Sequence, residues 1–334
     1  MTHPKSHYRN KVVLVTGAGG SIGSAICRKL IEFEVSKLIM LGHSELSLYA
    51  IEKELRDVAP AGALQVVLGS ITDDKLMERL TEGVDTVINA AAHKHVPLCE
   101  ENPIEAIQNN LGGMMTLADW ASRNLCAQFI QVSTDKAVNP KGVMGATKRA
   151  CELYTRYRAS RSAMTFTTVR FGNVLDSSGS VLPLWREQLR QGKPITLTDR
   201  RCTRYFMSIP DAVSLTLSAG ALGHGLFVLD MGEPRSIGQM AQELADSYEE
   251  YDAFGIMETP RKHSIVETGL RPGEKLTEEL VHGGSVCPTR IEKVLRVTEE
   301  PASAPSYSDF GDILMAARCG HKSMALELLW SLVK

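Results

Sequence analysis

The stretch Lys11-Val12-Val13-Leu14-Val15-Thr16-Gly17-Ala18-Gly19-Gly20-Ser21-Ile22-Gly23 decides the fold. Its first six residues form a short, mostly β-branched apolar run, the pattern of a strand buried on both faces. Beyond the glycines, Ile26, Leu30 and Phe33 recur at helical spacing. A strand that turns through glycines into a helix brings free backbone amides and the positive end of the helix dipole to one point. That point suits a pyrophosphate. Glycine spacing alone is a weak signal, but between a first strand and a first helix it is a strong one. Gly17, Gly19, Gly20, Ser21, Ile22 and Gly23 are therefore the expected phosphate contacts of a nicotinamide dinucleotide.

Moving outward, residues 37–41 read as a second strand that ends in Gly42-His43-Ser44-Glu45. An acid there would bond an adenosine 2′-hydroxyl and repel a 2′-phosphate. Gly42 offers no carboxylate and no arginine stands beside it, so NAD and NADP both stay open. His43 and Ser44 are expected near the adenosine, with Ser44 also the N-cap of a helix over 44–55. A third strand, 64–68, leads to Gly69-Ser70-Ile71-Thr72-Asp73 at the adenine edge. Ser70 and Ile71 are candidate contacts there, and Asp73 is either a ligand contact or a helix cap. A fourth strand, 84–89, runs into Ala90-Ala91-Ala92-His93-Lys94-His95. The alanines leave room for a cofactor, and Lys94 can meet an anion or a hydroxyl. No acidic or cysteine ligand stands at metal spacing from the two histidines, so no metal is expected. Asn102-Pro103 breaks the next helix, which resumes over 104–124.

The fifth strand, 129–132, opens onto Ser133-Thr134-Asp135-Lys136-Ala137-Val138-Asn139-Pro140, and Met144-Gly145-Ala146-Thr147-Lys148 then starts a helix over 145–160. Ligands of open α/β sheets bind outside the carboxyl ends of the strands. A hydroxyl, a carboxylate and two ammonium groups gather at that place. Leu153, Tyr154 and Tyr157 form a stripe read as core or as a dimer face. With a sixth strand at 165–170, the pattern is α/β: a Rossmann-type doubly wound parallel sheet with a smaller C-terminal substrate-binding lobe. The expected organisation is a dinucleotide-binding domain over 1–172, receiving strands from the second half. An interleaved lobe follows over 173–300, then helices over 301–334. Within the lobe we expect a helix from Pro183, short strands at 195–198 and 203–207, a helix at 209–221 and a strand at 226–231. A charged turn at 269–275 should precede another helix. Residues 301–306 read as a linker before helices at 308–317 and 321–332.

Composition limits the function classes. The chain has 334 residues, 43% hydrophobic and 23% charged, with a formal net charge of −2. That balance gives no footprint for nucleic acid or an acidic membrane surface. Its seven cysteines are scattered, with no C-x-x-C pair, as in a reduced, cytoplasmic protein. The polar first ten residues and the lack of a long apolar run predict neither a signal segment nor a membrane span.

These motifs together resemble an extended short-chain dehydrogenase/reductase. More narrowly, the chain resembles the nucleotide-sugar 4,6-dehydratases of polysaccharide biosynthesis that act on UDP-N-acetylglucosamine. The Ser133–Pro140 run and Leu270-Arg271-Pro272-Gly273-Glu274-Lys275 carry the resemblance more specifically than the glycine loop. It implies oxidation at C4, loss of water across C5 and C6, and hydride return to C6, with a UDP-sugar as substrate. It places Thr134 on the C4 oxygen with Ser133 nearby, Asp135 as acid at the C6 hydroxyl, Lys136 as base at C5 and Lys148 on the nicotinamide ribose. Asn173, Ser180, Val181, Arg204, Arg271 and Glu274 would hold the substrate, arginines suiting a diphosphate through their bidentate fork. The resemblance also implies a homodimer built from the helices over 104–124 and 145–160.

There are two departures. Met144 stands where the superfamily usually has tyrosine, and methionine cannot take a proton. Gly42 and Ser70 stand where relatives often have acids. The C4 proton could leave through Thr134, a carboxylate, water or the ribose. A nucleotide-sugar 4-epimerase and a non-catalytic dinucleotide sensor are the competing readings.

Overall fold

In the computed structural model, which describes residues 4–80, 83–248, 263–299 and 305–334, the main sheet has nine strands. We number them in chain order: β1 Val12–Thr16, β2 Lys37–Gly42, β3 Leu64–Leu68, β4 Thr86–Asn89, β5 Gln128–Val132, β6 Thr165–Arg170, β7 Gly225–Leu229, β8 Gly284–Pro288 and β9 Val294–Glu299. Their order across the sheet is β8-β9-β7-β6-β5-β4-β1-β2-β3. Pairings from β3 through β7 are parallel, and β9 and β8 add antiparallel strands at one edge. The chain builds outward from β1 in one direction, then returns to β4 and builds in the other. The crevice between β1 and β4 is therefore the topological switch point.

Both faces of the sheet are covered, which explains the strands' lack of a polar face. In β1, Val13 and Val15 enter one apolar cluster, with Ile26, Leu30 and Leu217. Leu14 enters the other, with Met114, Phe129 and Phe166. The two-residue alternation of a strand sends neighbouring side chains to opposite layers. A third cluster, around Trp185, Leu189, Ile195 and Met240, forms the core of the smaller lobe.

The structure departs from several expectations. The segment after Asn102 is not one helix: Pro103–Ala106 leads into a π-helical stretch, Ile107–Gly112, before Gly113–Arg123. The expected strand at 203–207 splits. Thr203–Arg204 pairs with Arg235–Ser236, and Phe206–Met207 pairs with Asn173–Val174. The helix expected from Pro183 starts at Val181, with the proline inside its first turn. The helix expected directly after Lys275 is absent: residues 276–283 are irregular. The carbonyls of Lys275 and Leu276 instead accept from the Arg204 guanidinium, and Leu276 also accepts from the Thr203 amide, so they cannot serve a helical ladder. The antiparallel pair β8 and β9 was not expected: every residue of β8 is exposed, so no apolar alternation marks it. Of the linker at 301–306, residues 301–304 lie outside the described residues.

The stripe on Val143–Ala159 is covered within the chain. The helix Val143–Ala159 and the π-helical stretch Ile107–Gly112 pack against the chain's own C-terminal helices, Tyr307–Arg318 and Lys322–Val333. Tyr154 meets Phe310 edge-on at 5.1 Å, and Tyr157 packs near Phe310 and Tyr307. The stripe thus finds its partner within the chain. Among the described residues, no helix is long and apolar enough to cross a membrane.

Candidate active site

At the end of β1, Gly17 has φ +63°, and a Cβ there would come within 2.9 Å of the Ala90 backbone. A Cβ on Gly23 would lie 2.1 Å from the Gly17 carbonyl oxygen. Only glycine permits this close packing of turn, helix and the neighbouring strand end. Gly20 is the N-cap of Ser21–Glu32 and supplies no side-chain cap, so the first-turn amides are left to a ligand. This bare backbone cradle fits the pyrophosphate of a dinucleotide.

At the adenosine edge, His43 and Ser44 are exposed. Ser44 caps its helix by accepting from the Ser47 amide, and Asp73 likewise caps by accepting from Leu76. Ser70 bonds Thr72 at 2.8 Å. The Ile71 side chain is buried in the core and does not face the crevice. Ala90, Ala91 and Ala92 lie half-buried at the end of β4.

Beneath the crevice, a buried polar ladder crosses three strands. Thr16 Oγ1 donates to Asn89 Oδ1 at 2.6 Å, and Asn89 Nδ2 donates to Gln131 Oε1 at 2.8 Å. Lys148, on the helix Val143–Ala159, donates to the Val132 carbonyl at 2.6 Å. Burial lowers the Lys148 pKa, with Cys151 and Glu152 opposing the shift. Met144 is 4% exposed in an apolar cluster with Cys99, Ala106 and Val143, a position with no proton chemistry.

A cluster of polar and charged side chains assembles where β5 ends. Asp135 is fully buried, and its amide is held by the Phe171 carbonyl. Its Oδ1 accepts from Thr134 Oγ1 at 2.9 Å and from Lys136 Nζ at 3.0 Å, while Oδ2 has no hydrogen-bond partner among the described residues. Lys136 Nζ also donates to Asn173 Oδ1 at 3.0 Å. Thr134, Asp135 and Lys136 therefore come together, and Asn173, expected among the substrate contacts, joins them.

Other expected contacts point elsewhere. Ser133 is turned inward and donates to Glu152 at 2.7 Å, part of a buried network in which Arg170 bridges Glu152 and Glu299. Burial alone would raise the Glu152 carboxyl, but Arg170 and Arg149 bring it down to about 2. Arg204 is 9% exposed, its guanidinium spent on the carbonyls of Thr203, Lys275 and Leu276, where it cannot also grip a diphosphate. Arg271 and Glu274 pair with each other at 2.7 Å. Lys94 donates to the Ser178 carbonyl at 2.5 Å, and the Ser178 amide donates to Ser21 Oγ at 2.9 Å. The loop before Ser180 thus links the glycine turn to Lys94. Burial lowers the Lys94 pKa. Ser180 caps Val181–Arg190 in position only, its buried Oγ lacking a partner among the described residues.

Two residues escaped the motif reading. Asn110, in the π-helical stretch, bonds both the amide and the carbonyl of His93, at 2.7 and 3.0 Å, and so fixes the loop carrying Lys94. The extra residue in the turn shifts its face, a change that helical periodicity does not report. Glu278 joins the Asp135–Lys136 cluster from a segment misread as helix; its carboxyl lies 3.8 Å from Lys136 Nζ.

Residues 13–299 match the family described as polysaccharide biosynthesis protein. The capsular polysaccharide biosynthesis protein CapD of Staphylococcus aureus is 45% identical over 297 residues, covering 86% of this chain and 48% of that protein. The chain spans about half the length of this relative and of the probable polysaccharide biosynthesis protein EpsC of Bacillus subtilis. A UDP-glucose 4-epimerase of Rickettsia canadensis is 35% identical, covering 81% of this chain and 78% of that protein. An inverting UDP-N-acetylglucosamine 4,6-dehydratase of Campylobacter jejuni is 32% identical, covering 82% and 78%. Among solved structures, Pen from Bacillus thuringiensis superposes with a TM-score of 0.78 at 28% identity, covering 87% of this chain and 89% of that one. With its glycine cradle, switch-point crevice and these likenesses, the chain belongs to the polysaccharide biosynthesis family of extended short-chain dehydrogenase/reductases.

Proposed function

We propose that the protein is a nucleotide-sugar 4,6-dehydratase acting on UDP-N-acetylglucosamine. The observation that carries this reading is the buried Asp135 with half-buried Thr134 and Lys136 on its carboxylate, joined to Asn173 at the end of β5. An epimerase needs only to remove and return hydrogen at C4. A dehydratase must also break the C5–H bond and protonate a leaving hydroxyl, which calls for a paired acid and base. A nicotinamide dinucleotide, NAD or NADP, would take the hydride from C4 and return it at C6. Gly17 to Gly23 would hold its pyrophosphate, with His43, Ser44 and Ser70 along its adenosine and Lys148 at its nicotinamide ribose.

The chain's own residues then handle the protons. Thr134 donates to Asp135, so a proton leaving the C4 hydroxyl has a path to that carboxylate. Asp135 can return it to the C6 hydroxyl, which departs as water. Lys136 takes the C5 proton and gives it back to C5 as hydride reaches C6. The sum is substrate going to a 4-keto-6-deoxy sugar plus water, with no net proton change and no demand on Met144. General acid–base groups of this kind contribute roughly 10²–10⁴-fold each.

The second reading, a 4-epimerase, is favoured by the Rickettsia relative. Incubation with UDP-N-acetylglucosamine and dinucleotide in deuterium oxide separates the two. NMR should find a 4-keto-6-deoxy product carrying deuterium at C5. Formation of the C4 epimer alone, unlabelled at C5, would replace the dehydratase by the epimerase.

A further inference from the structure

The loop between the strand Asn173–Val174 and the helix Val181–Arg190 joins two cores. Val174 packs in a core of the main sheet, and Trp185 and Leu189 root the helix in the smaller lobe. At the loop's tip the Ser180 amide donates to the Ser177 carbonyl at 2.9 Å. Gly179, third in that turn, has φ +70°, whereas Ser178, second, has a negative φ. These are the marks of a type II turn. The tip is held against the sheet domain through its backbone. The Ser178 amide donates to Ser21 Oγ, in the glycine turn after β1, at 2.9 Å. The Ser178 carbonyl accepts from Lys94 Nζ, in the loop after β4, at 2.5 Å. Gly179 lies against the His95 ring, where a Cβ would come within 2.6 Å of Cε1. One backbone residue thus bridges the segments that follow β1 and β4, on either side of the switch-point crevice.

Neither bond exhausts its side chain. A hydroxyl has one hydrogen to donate and two positions that accept, and an ammonium has three hydrogens. Ser21 Oγ accepts from Ser178 and keeps its own hydrogen, while Lys94 spends one of its hydrogens on Ser178. A pyrophosphate in the glycine cradle can take the Ser21 hydrogen without breaking the bond to Ser178. A hydroxyl that donates to an anion becomes a better acceptor, so the two bonds strengthen each other.

We propose that Ser178 is a positioning residue whose backbone couples the dinucleotide and sugar-nucleotide sites. A pyrophosphate on Ser21 fastens the turn Ser177–Ser180, and the fastened turn holds Lys94, Ser180 and Val181 in place for the diphosphate of the sugar nucleotide. This role rests on the reading above, in which the glycine turn holds a dinucleotide and the substrate is a UDP-sugar. The Ser178 side chain takes no part. Coupling of this kind is reciprocal, so each ligand tightens the other by the same factor.

The test is calorimetric titration with UDP, which binds without turnover, in the absence and presence of saturating NAD or NADP. Wild type should bind UDP about 5–10-fold more tightly when the dinucleotide is present. Ser178→Pro suits the second position of a type II turn and removes the amide hydrogen that Ser21 accepts. It should abolish the difference while each ligand still binds alone. Ser21→Ala should abolish it too, and Ser21→Thr, which keeps the hydroxyl, should retain it. A merely structural role would weaken both ligands or the fold and leave the ratio of the two UDP affinities unmoved. If Ser178→Pro does not fold, the two Ser21 variants make the same comparison. UDP binding in wild type that is unchanged or weaker with dinucleotide overturns the proposal, as does a wild-type ratio in Ser178→Pro or Ser21→Ala. A wild-type protein that binds neither UDP nor either dinucleotide defeats the functional reading and this role together. A wild-type protein that dehydrates UDP-N-acetylglucosamine but shows no coupling defeats this role alone.

Discussion

Lys148 Nζ donates to the backbone carbonyl of Val132 at 2.6 Å, tying the helix Val143–Ala159 to the end of the strand that leads into Thr134 and Asp135. Under the proposed function this ammonium also meets the nicotinamide ribose. Lys148→Ala should weaken dinucleotide binding in a fluorescence titration and lower kcat by about 10²-fold or more. Unchanged binding together with unchanged kcat would leave Lys148 with a structural task only.

Lys136→Met tests the C5 base. The variant should still bind sugar nucleotide and dinucleotide, while dehydration falls by roughly 10²–10⁴-fold. Reduced dinucleotide should build up, visible near 340 nm on the order of a single turnover. Deuterium should no longer enter C5. Dehydration at the wild-type rate would assign the base to another group.

Glu152 predicts an acid-sensitive step. Its folded-state carboxyl lies at about 2, below its ordinary value of 4.5. A depressed carboxyl contributes its stability in full above about pH 4.5 and loses it as pH falls toward 2. Glu152→Gln leaves Arg170 without its main buried partner and should cost about 3–5 kcal/mol at pH 7. Urea unfolding should show that gap narrowing as the medium is acidified through the same window. A gap equally large at the acid end would mean the carboxylate charge is not its source.

Phe310 tests the C-terminal cover. The ring is fully buried, edge-on to Tyr154. Phe310→Ala should cost about 3–5 kcal/mol in chemical unfolding. It should also raise self-association in light scattering, because Tyr154 and Tyr157 lose part of their cover. An unmoved unfolding midpoint would mean that this helix pair does not dock as described.

Where the physics is local, the sequence was a good guide. The first six strands follow from apolar runs, and the Ser44 cap follows from a hydroxyl placed just before a helical pattern. The Thr134-Asp135-Lys136 group was legible because a polar cluster directly after a buried strand has only the crevice to occupy. Orientation was not legible. Ser133 and Thr134 are adjacent, yet one faces the Glu152 network and the other Asp135. Arg204 looked like a free cation because its partners are backbone carbonyls, which carry no side-chain signature. Glu278 was hidden for a similar reason: its place depends on contacts between distant parts of the chain. The C-terminal helices were legible from their apolar spacing, but not that they pack on Val143–Ala159, since that contact joins distant parts of the chain.

The ladder from Thr16 through Asn89 to Gln131 acts on alignment more than on strength. It runs across β1, β4 and β5 at the ends that bound the crevice. An apolar trio could pack the same space and hold the layers together as firmly. It could not, however, tell one register from the next. With hydrogen-bonding side chains, a slip of one residue along any of the three strands would strand buried polar groups and turn every neighbouring side chain to the opposite face. The ladder therefore works as an internal gauge. It keeps the strand end beside the glycine turn level with the one leading to Asp135 and Lys136, as a dinucleotide spanning both under the proposed function would require.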